Sequence, residues 1–344
     1  MKLNQFLLLL CLPLCLFSCQ KKTAKKNLPK ETRSVLPPST GNLSELVVVI
    51  SDELWQGEVG AVLKSVFQEN IPAIPQQEAF FDLYAIAPKD FSSIFKTHKN
   101  VLRVSIGDTA SVEKNGQGWS KNQLYISATG RTPEQLKNLL HSEAGSIRAS
   151  FLNKNRERRL EKLKPTAEKK IQQQLDEVYG INITIPKGYQ VAAAEDHFFW
   201  LRRDHPKVNV ISNLWIYSED YSNPQQFDKQ YLIYLRDSLG RAHVNGMRDQ
   251  SYMATEMIYD PDHKVIKEGP YTVETRGLWT MVNDFLGGPY VACAFLDEEN
   301  QKIIYAEGFL YCPGERKRSH ILELEALLSS IKLSPSLYDP AKNK

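Results

Sequence analysis

With 344 residues, 42% of them hydrophobic and 24% charged, the chain is long enough for one large or two ordinary domains and apolar enough to bury their cores. Its formal net charge of +3 builds no strong field of one sign, so nucleic acid is not an expected partner.

Met1-Lys2 is followed by an apolar run from Phe6 to Phe17, shorter than the roughly 20 helical residues needed to span a bilayer. Residues 1–18 therefore read as a signal peptide. The run ends in Leu16-Phe17-Ser18-Cys19, which resembles the lipobox of bacterial lipoproteins. That resemblance implies that the thiolate of Cys19 takes a diacylglyceryl group and becomes the acylated N-terminus. At ~0.8 kcal/mol per buried CH₂, two or more acyl chains hold a protein on a membrane without a transmembrane helix. Gln20, rather than Asp, follows the cysteine, which by the same resemblance implies the outer membrane. Lys21, Lys22, Lys25 and Lys26 precede the first acid, Glu31, which favours the periplasmic side.

Residues 19–41, rich in Lys, Pro, Ser and Thr, read as a disordered tether. A first α+β domain, 42–164, opens on the apolar run Leu46-Val-Val-Val-Ile50, a strand. Asp52 is placed to cap a helix running to about Gln68, which the prolines at 72 and 75 end. Strands follow at Phe80–Ala87, Asn100–Gly107 and Gln123–Ala128, with a short helix between the first two. Thr132-Pro133 starts a long helix, Thr as cap and Pro at the first position. This alternation suggests a ferredoxin-like two-layer unit. From Ser146 to Lys164 the chain is strongly basic: Arg148, Lys154, Arg156, Arg158, Arg159, Lys162 and Lys164. Such a face can lie against anionic headgroups or an acidic partner, although a solvated surface over Ile147, Phe151, Leu160 and Leu163 is the commoner arrangement.

A boundary near Pro165 begins a second α+β domain, 165–334, ahead of a tail at 335–344. It starts with a helix, Thr166–Tyr179, closed by Gly180. The alternation Ile181-Asn-Ile-Thr-Ile185 and strands near Tyr189–Ala194, His197–Arg203 and Val208–Tyr217 follow. Asn223-Pro224 starts a helix through Phe227 and Leu239, with Gly240 as its stop. A strand at about Tyr252–Tyr259 precedes Tyr271–Tyr311, which reads as three long antiparallel strands. An amphipathic helix, Arg318–Ile331, then covers the sheet. The expected class is α+β, antiparallel sheets covered by helices.

Several segments together resemble a domain-of-unknown-function family of Gram-negative lipoproteins: Val-Val-Ile-Ser-Asp-Glu-Leu-Trp55, Pro75-Gln76-x-Glu78, Arg236-Asp237, Ser251-Tyr-Met-Ala-Thr-Glu256, Glu274-x-Arg-Gly-Leu-Trp279 and Asp284-Phe-x-Gly-Gly-Pro289. That family brings no activity or cofactor with it. The strand order of the second half is similar to Mog1/PsbP-type folds.

The chain contains no GxSxG, GxxxxGK[ST], HExxH or CxxC, so no catalytic residue, cofactor or metal site is expected. Candidate binding residues are Trp55, Arg236, Arg276, Trp279, Asp284, Gly287 and Gly288. Gly277 is expected to mark a bulge or a close backbone approach beside Arg276. Arg276 and Arg236 could bind a carboxylate or phosphate with Trp279 and Trp55 stacking on it. Alternatively, Arg276 forms an internal pair with Glu274, Asp237 or Asp284, the reading ordinary fold-building favours. Gly287 and Gly288 are expected to supply positive φ in a strand connection. Cys293 should face about Tyr305, which puts Cys312 roughly 23 Å away and leaves two free thiols. The sequence points to a tethered, non-enzymatic binding or assembly module with the membrane and an envelope protein as partners. The alternative is an enzyme with an Arg/carboxylate site in the second domain.

Overall fold

The computed structural model describes residues 36–334, apart from 117, 267 and 268. The signal peptide, Cys19, most of the tether and the 335–344 tail lie outside the described residues. The segment assigned to the tether is already bound from Pro37 onward. Pro38 bridges Lys121, Thr40 bridges His98, and the Thr40 N–H donates to the Thr97 carbonyl at 2.8 Å. These are backbone bonds, to which side-chain composition is blind.

The first half runs Glu45–Val49 (β1), Asp52–Gln56 (α1), Glu58–Phe67 (α2), Asp82–Ile86 (β2), Ser93–Lys96 (α3), Asn100–Ile106 (β3), Ser111–Lys114 (β4), Leu124–Gly130 (β5) and Pro133–Leu163 (α4). Its five strands are ordered β2-β1-β3-β5-β4, parallel except where β4 pairs with β5. The ferredoxin-like pairing expected for this half is therefore replaced by a mixed sheet, while the α+β class holds. Helices or helical turns link β1 to β2 and β2 to β3, and the chain reaches β5 from β3 by way of β4 and a loop; such crossovers return the chain parallel. The unbroken apolar run at 46–50 follows from that burial on both faces. Leu46, Val48 and Ile50 pack under α2 and α4, and Val47 and Val49 pack with Val101 on the other side. The first helix is capped by Ser51 rather than Asp52 and is interrupted at Gly57.

The 31-residue α4 measures about 46 Å at 1.5 Å per residue. Thr132 caps it through a bond from the Gln135 N–H, with Pro133 at its first position. Its buried stripe runs Leu136, Leu140, Ala144, Ile147, Phe151, Asn155, Arg158. The stripe keeps helical spacing while changing from apolar to polar, and the change marks where the helix leaves the first core.

The second half comprises Lys169–Tyr179 (α5), Ile181–Asn182 (β6), Gln190–Ala194 (β7), Phe198–Asp204 (β8), Ile211–Asp220 (β9), Lys229–His243 (α6), Tyr252–Glu256 (β10), Asp262–Ile266 (β11), Thr272–Val282 (β12), Gly287–Asp297 (β13), Lys302–Tyr311 (β14), Arg318–Ser329 (α7) and Lys332–Leu333 (β15). Seven strands form an antiparallel run, β10-β12-β13-β14-β9-β8-β7, with β11 also on β12. Helix α6 covers one face, where Leu232, Leu235 and Leu239 meet Met253, Trp279, Tyr290 and Phe309. Helices α7 and α5 cover the other, with Ile321, Leu324 and Leu327 against Val291, Ile304 and Leu310. Leu160 and Leu163, from the end of α4, pack onto this second core.

Gly240 does not end α6; it lies inside the helix, where a Cβ would meet the Met253 carbonyl at 2.3 Å. Gly277 makes no bulge either, since β12 and β13 keep register through Gly277↔Tyr290. Its role is the close approach, because a Cβ there would touch the Tyr290 ring at 2.6 Å. Cys293 pairs with Ala306, one residue from the expected Tyr305, and Cys293 and Cys312 are both free thiols.

Candidate functional site

The residues singled out from sequence occupy four separate places. Alternation along β12 sends Arg276 toward α7 and Trp279 toward α6. Arg276 donates from Nε to Glu274 at 2.7 Å and from Nη1 to Glu325 of α7 at 2.5 Å. Burial alone would lower its proton affinity, but Glu325 and Glu274 outweigh burial and hold it well above the usual range. Arg236 lies on the opposite face, 1% exposed, with Nη2 3.1 Å from the Glu307 carboxylate and its guanidinium 4.1 Å from the Tyr290 ring centre. Tyr305 donates to the same carboxylate at 2.6 Å. Burial pushes Glu307 up in proton affinity against the pull of Arg236.

Trp279 buries its indole and donates Nε1 to the Leu310 carbonyl at 3.0 Å. Gly288 makes room for that bond: a Cβ there would lie 2.0 Å from Leu310 O and 3.0 Å from the indole nitrogen. Gly287 and Gly288 are strand residues opposite Thr280 and Trp279, and the positive φ in the connection belongs to Asn283, at 60°. Asp284 accepts from the Phe285 N–H and sits 3.9 Å from Arg248 at the exposed tip. Trp55 is in the first half, under Lys64. A groove of Arg236, Arg276, Trp279 and Trp55 is thus not formed. A catalytic use of Arg236 with its carboxylate would need substrate to reach Glu307, which is 0% exposed.

Two openings of similar size expose polar side chains: one of about 550 Å³ lined by Arg156, Glu274, Cys293 and Glu325, and one where the last turns of α4 meet the segment entering β1 and the β14–α7 connection. A cleft of about 530 Å³ is lined there by Gly41–Ser44, Glu78, Lys99, Arg158, Arg159, Lys162, Leu163, Arg316, Arg318, Ser319 and Glu323. Arg158 continues the buried stripe of α4, and its guanidinium is held entirely by amide oxygens. Nε donates to Asn122 O at 2.7 Å, Nη1 to the side chains of Asn100 and Asn155 at 2.7 and 2.6 Å, and Nη2 to Lys99 O at 2.8 Å. Burial lowers its proton affinity to about 10, with Glu157 and Glu161 opposing. Lys99 donates to Gly41 O at 2.6 Å; burial first, then the charges of Arg158 and Lys162, depress it, with Glu45 opposing. Arg159 reaches Ser319 O at 3.3 Å and is likewise depressed by burial.

The carboxylates of the cleft are already engaged. Glu78 accepts the N–H groups of Lys317 and Arg318 at 2.6 and 3.2 Å, placing an anion at the start of α7, where exposed N–H groups favour one. Glu323 is bonded to Arg203, and Arg318 is bonded to Asp82. A further opening of about 410 Å³ shares Arg159, Ser319 and Glu323 and adds Lys187, Arg203, His205 and His320. Burial lowers Arg158 and Arg159 while nearby carboxylates raise them, and Lys99 alone of the three is lowered by two neighbouring cations. Among the described residues no cluster of three or more His, Cys, Asp or Glu could hold a metal ion, and no helix is long and apolar enough to cross a membrane.

Residues 168–330 match the family described as Domain of unknown function (DUF4837), and residues 39–164 match Domain of unknown function (DUF8532). The cleft draws lining residues from both matched segments: Lys99, Arg158, Arg159 and Lys162 from residues 39–164, and Arg316, Ser319 and Glu323 from residues 168–330. No curated protein matches the chain. Among solved structures, the Saccharomyces cerevisiae Ran-binding protein Mog1p shares 9% identity over 45% of this chain and 90% of its own, at a TM-score of 0.32. A mutant of Mog1 aligns over 46% and 92% at 9% identity and 0.31, and human StAR-related lipid transfer protein 5 over 53% and 94% at 9% identity and 0.25. Likeness at this level carries no inference about ligand or partner.

The basic run of α4 was visible in the sequence, but as a face. Its meeting with Lys99, Arg316 and Arg318 depends on contacts between distant segments. The Pro75-Gln76-x-Glu78 segment was the one sequence signal that touched the cleft from the other side.

Proposed function

We propose that the protein is an envelope lipoprotein held on the outer membrane through acylated Cys19, facing the periplasm, and that it works as a binding or assembly module rather than by catalysis. The Leu16-Phe17-Ser18-Cys19 pattern supports the anchor. The observation that carries the binding role is the cleft itself, where Lys99, Arg158, Arg159, Lys162 and Arg316 stand beside carboxylates that already have other partners. Guanidinium and ammonium groups are donors only, suited to holding an anion and poorly suited to moving a proton near neutral pH. The partner is therefore an anionic group, carried by a lipid or by another envelope protein.

The anchor is tested by palmitate labelling of cells, which should mark the wild type and not Cys19→Ala. The binding role is tested by a photo-crosslinking residue at position 162. Reproducible crosslinks that disappear when Arg159 is also changed to Gln are expected; crosslinks indifferent to Arg159 would remove the cleft from the mechanism.

A further inference from the structure

The lining of the cleft holds more basic side chains than acidic ones, with Glu45, Glu157, Glu161 and Glu325 standing nearby without a direct bond to its cations. Its lining holds six basic side chains, Lys99, Arg158, Arg159, Lys162, Arg316 and Arg318, against two carboxylates, Glu78 and Glu323. One base, Arg318, is spent on Asp82, and both carboxylates are bonded, Glu78 to backbone N–H groups and Glu323 to Arg203. Arg158 and Lys99 give their hydrogen bonds to neutral oxygens, so their charges remain uncompensated by direct contact. Arg159 has a single long bond to a carbonyl, and Lys162 is exposed.

A lone carboxylate would offset one of these charges. A phosphoryl group brings up to about two charges and oxygens that accept from several donors at once, which suits converging guanidinium and ammonium groups. At about 530 Å³ the cleft is far larger than a bare phosphate ion needs and falls within the range of small-molecule sites. Leu43 and Leu163 line it together with the basic groups, so it offers apolar surface beside the charges. Gly41–Ser44, which lead into β1, belong to the same lining.

We propose that the cleft takes the phosphomonoester headgroup of a membrane lipid of the phosphatidic-acid kind, with half-buried Arg159 and exposed Lys162 as its cations and Leu43 and Leu163 against the adjoining glycerol. The proposal rests on the reading of the chain as an anchored anion binder and names its ligand. Such a site would hold the body down against the lipid surface in addition to the covalent anchor.

The test uses the full chain in a non-ionic detergent at low salt. Calorimetric titration is run with dihexanoyl phosphatidic acid, with inorganic phosphate and with a tetra-aspartate peptide, on the wild type and on Arg159→Gln/Lys162→Gln. Saturable binding of the short-chain lipid is expected, weakened about tenfold or more in the double variant while Tm stays unchanged. Equal lipid affinity in the variant overturns the assignment to this cleft. Inorganic phosphate binding as tightly as the lipid overturns the headgroup assignment. If the acidic peptide binds more tightly than the lipid and loses affinity in the variant, the anion cleft stands and the phosphoryl ligand falls. If none of the three binds saturably, both readings fall together.

Discussion

Arg236 and Glu307 meet between α6 and the large sheet, with Nη2 3.1 Å from Oε1 and only 1% and 0% of the two residues exposed. The pair is surrounded by groups that complete it: Tyr305 donates to the carboxylate, Thr255 accepts from the guanidinium, and the Tyr290 ring lies under it. Arg236→Ala should leave a buried carboxylate without a counter-charge and lose about 3–5 kcal/mol in urea unfolding. Arg236→Met combined with Glu307→Gln should recover most of that loss, because both desolvated charges disappear together. A double variant as unstable as the single would show that shape, and not charge, dominates the contact.

Two glycines in helices should respond with opposite sign to the same substitution. Gly145 lies on an exposed part of α4 with open space around its Cβ position, so Gly145→Ala should gain up to about 1 kcal/mol. Gly240 lies in α6 against the Met253 carbonyl, so Gly240→Ala should lose about 1–3 kcal/mol despite the better helix former. Thermal unfolding of the two variants beside the wild type distinguishes the cases.

Acid should weaken the fold through Glu274. Burial raises the proton affinity of its carboxyl, but Arg276, and after it Lys264, more than reverse this and bring it to about 2. A folded-state value depressed in this way contributes stability that is present above the ordinary carboxyl range near pH 4.5 and is lost as pH falls toward 2. The contribution is of the order of 3 kcal/mol. Urea midpoints measured from pH 6 to 2 should fall along this limb in the wild type and fall less steeply in Glu274→Gln.

His205 should titrate late. Burial, then the charges of Arg203 and His320, lower it to about 4, with Glu323 and Asp204 opposing. Its stabilising contribution is therefore complete above about pH 6.5 and is lost as pH falls toward 4. A ring-proton NMR titration should give a midpoint near 4 for His205, and His320→Gln should raise it. A midpoint near 6.5 in the wild type would show that the ring is open to water.

The sequence discloses the elements of this fold more readily than their partners. Thr132-Pro133 announces the start of α4, Gly180 the end of α5 with φ of 62°, and alternation the faces of β12, because each signal is local. The run Leu46–Ile50 shows a strand buried on both faces, yet buried parallel and antiparallel strands share that pattern, and the crossovers that choose between them are a matter of tertiary order. Glycine proved ambiguous for the same reason. Gly240, Gly277 and Gly288 answer to atoms on other strands, at Met253, Tyr290 and Leu310, and the chain near each glycine contains no trace of those neighbours. Arg276 could be suspected of an internal pair and finds Glu274 two residues away, whereas Arg236 pairs with Glu307, 71 residues distant and not among the carboxylates the sequence singled out. The basic cleft was hidden most completely, being assembled from segments near Gly41, Lys99, Arg158 and Arg316.

The two family matches abut at 164 and 168, but α4 does not respect that seam. Its last turns carry Leu160 and Leu163 into the core beneath α7, and Arg156 and Arg159 reach Glu325 and Ser319 there. Separate expression of the halves would uncover both sides of this joint: a bare greasy helix end on one fragment and an unfilled socket beside Leu328 and Ile331 on the other. The halves are separable as text and inseparable as solids, and a fragment intended to behave in solution has to keep α4 and α7 together.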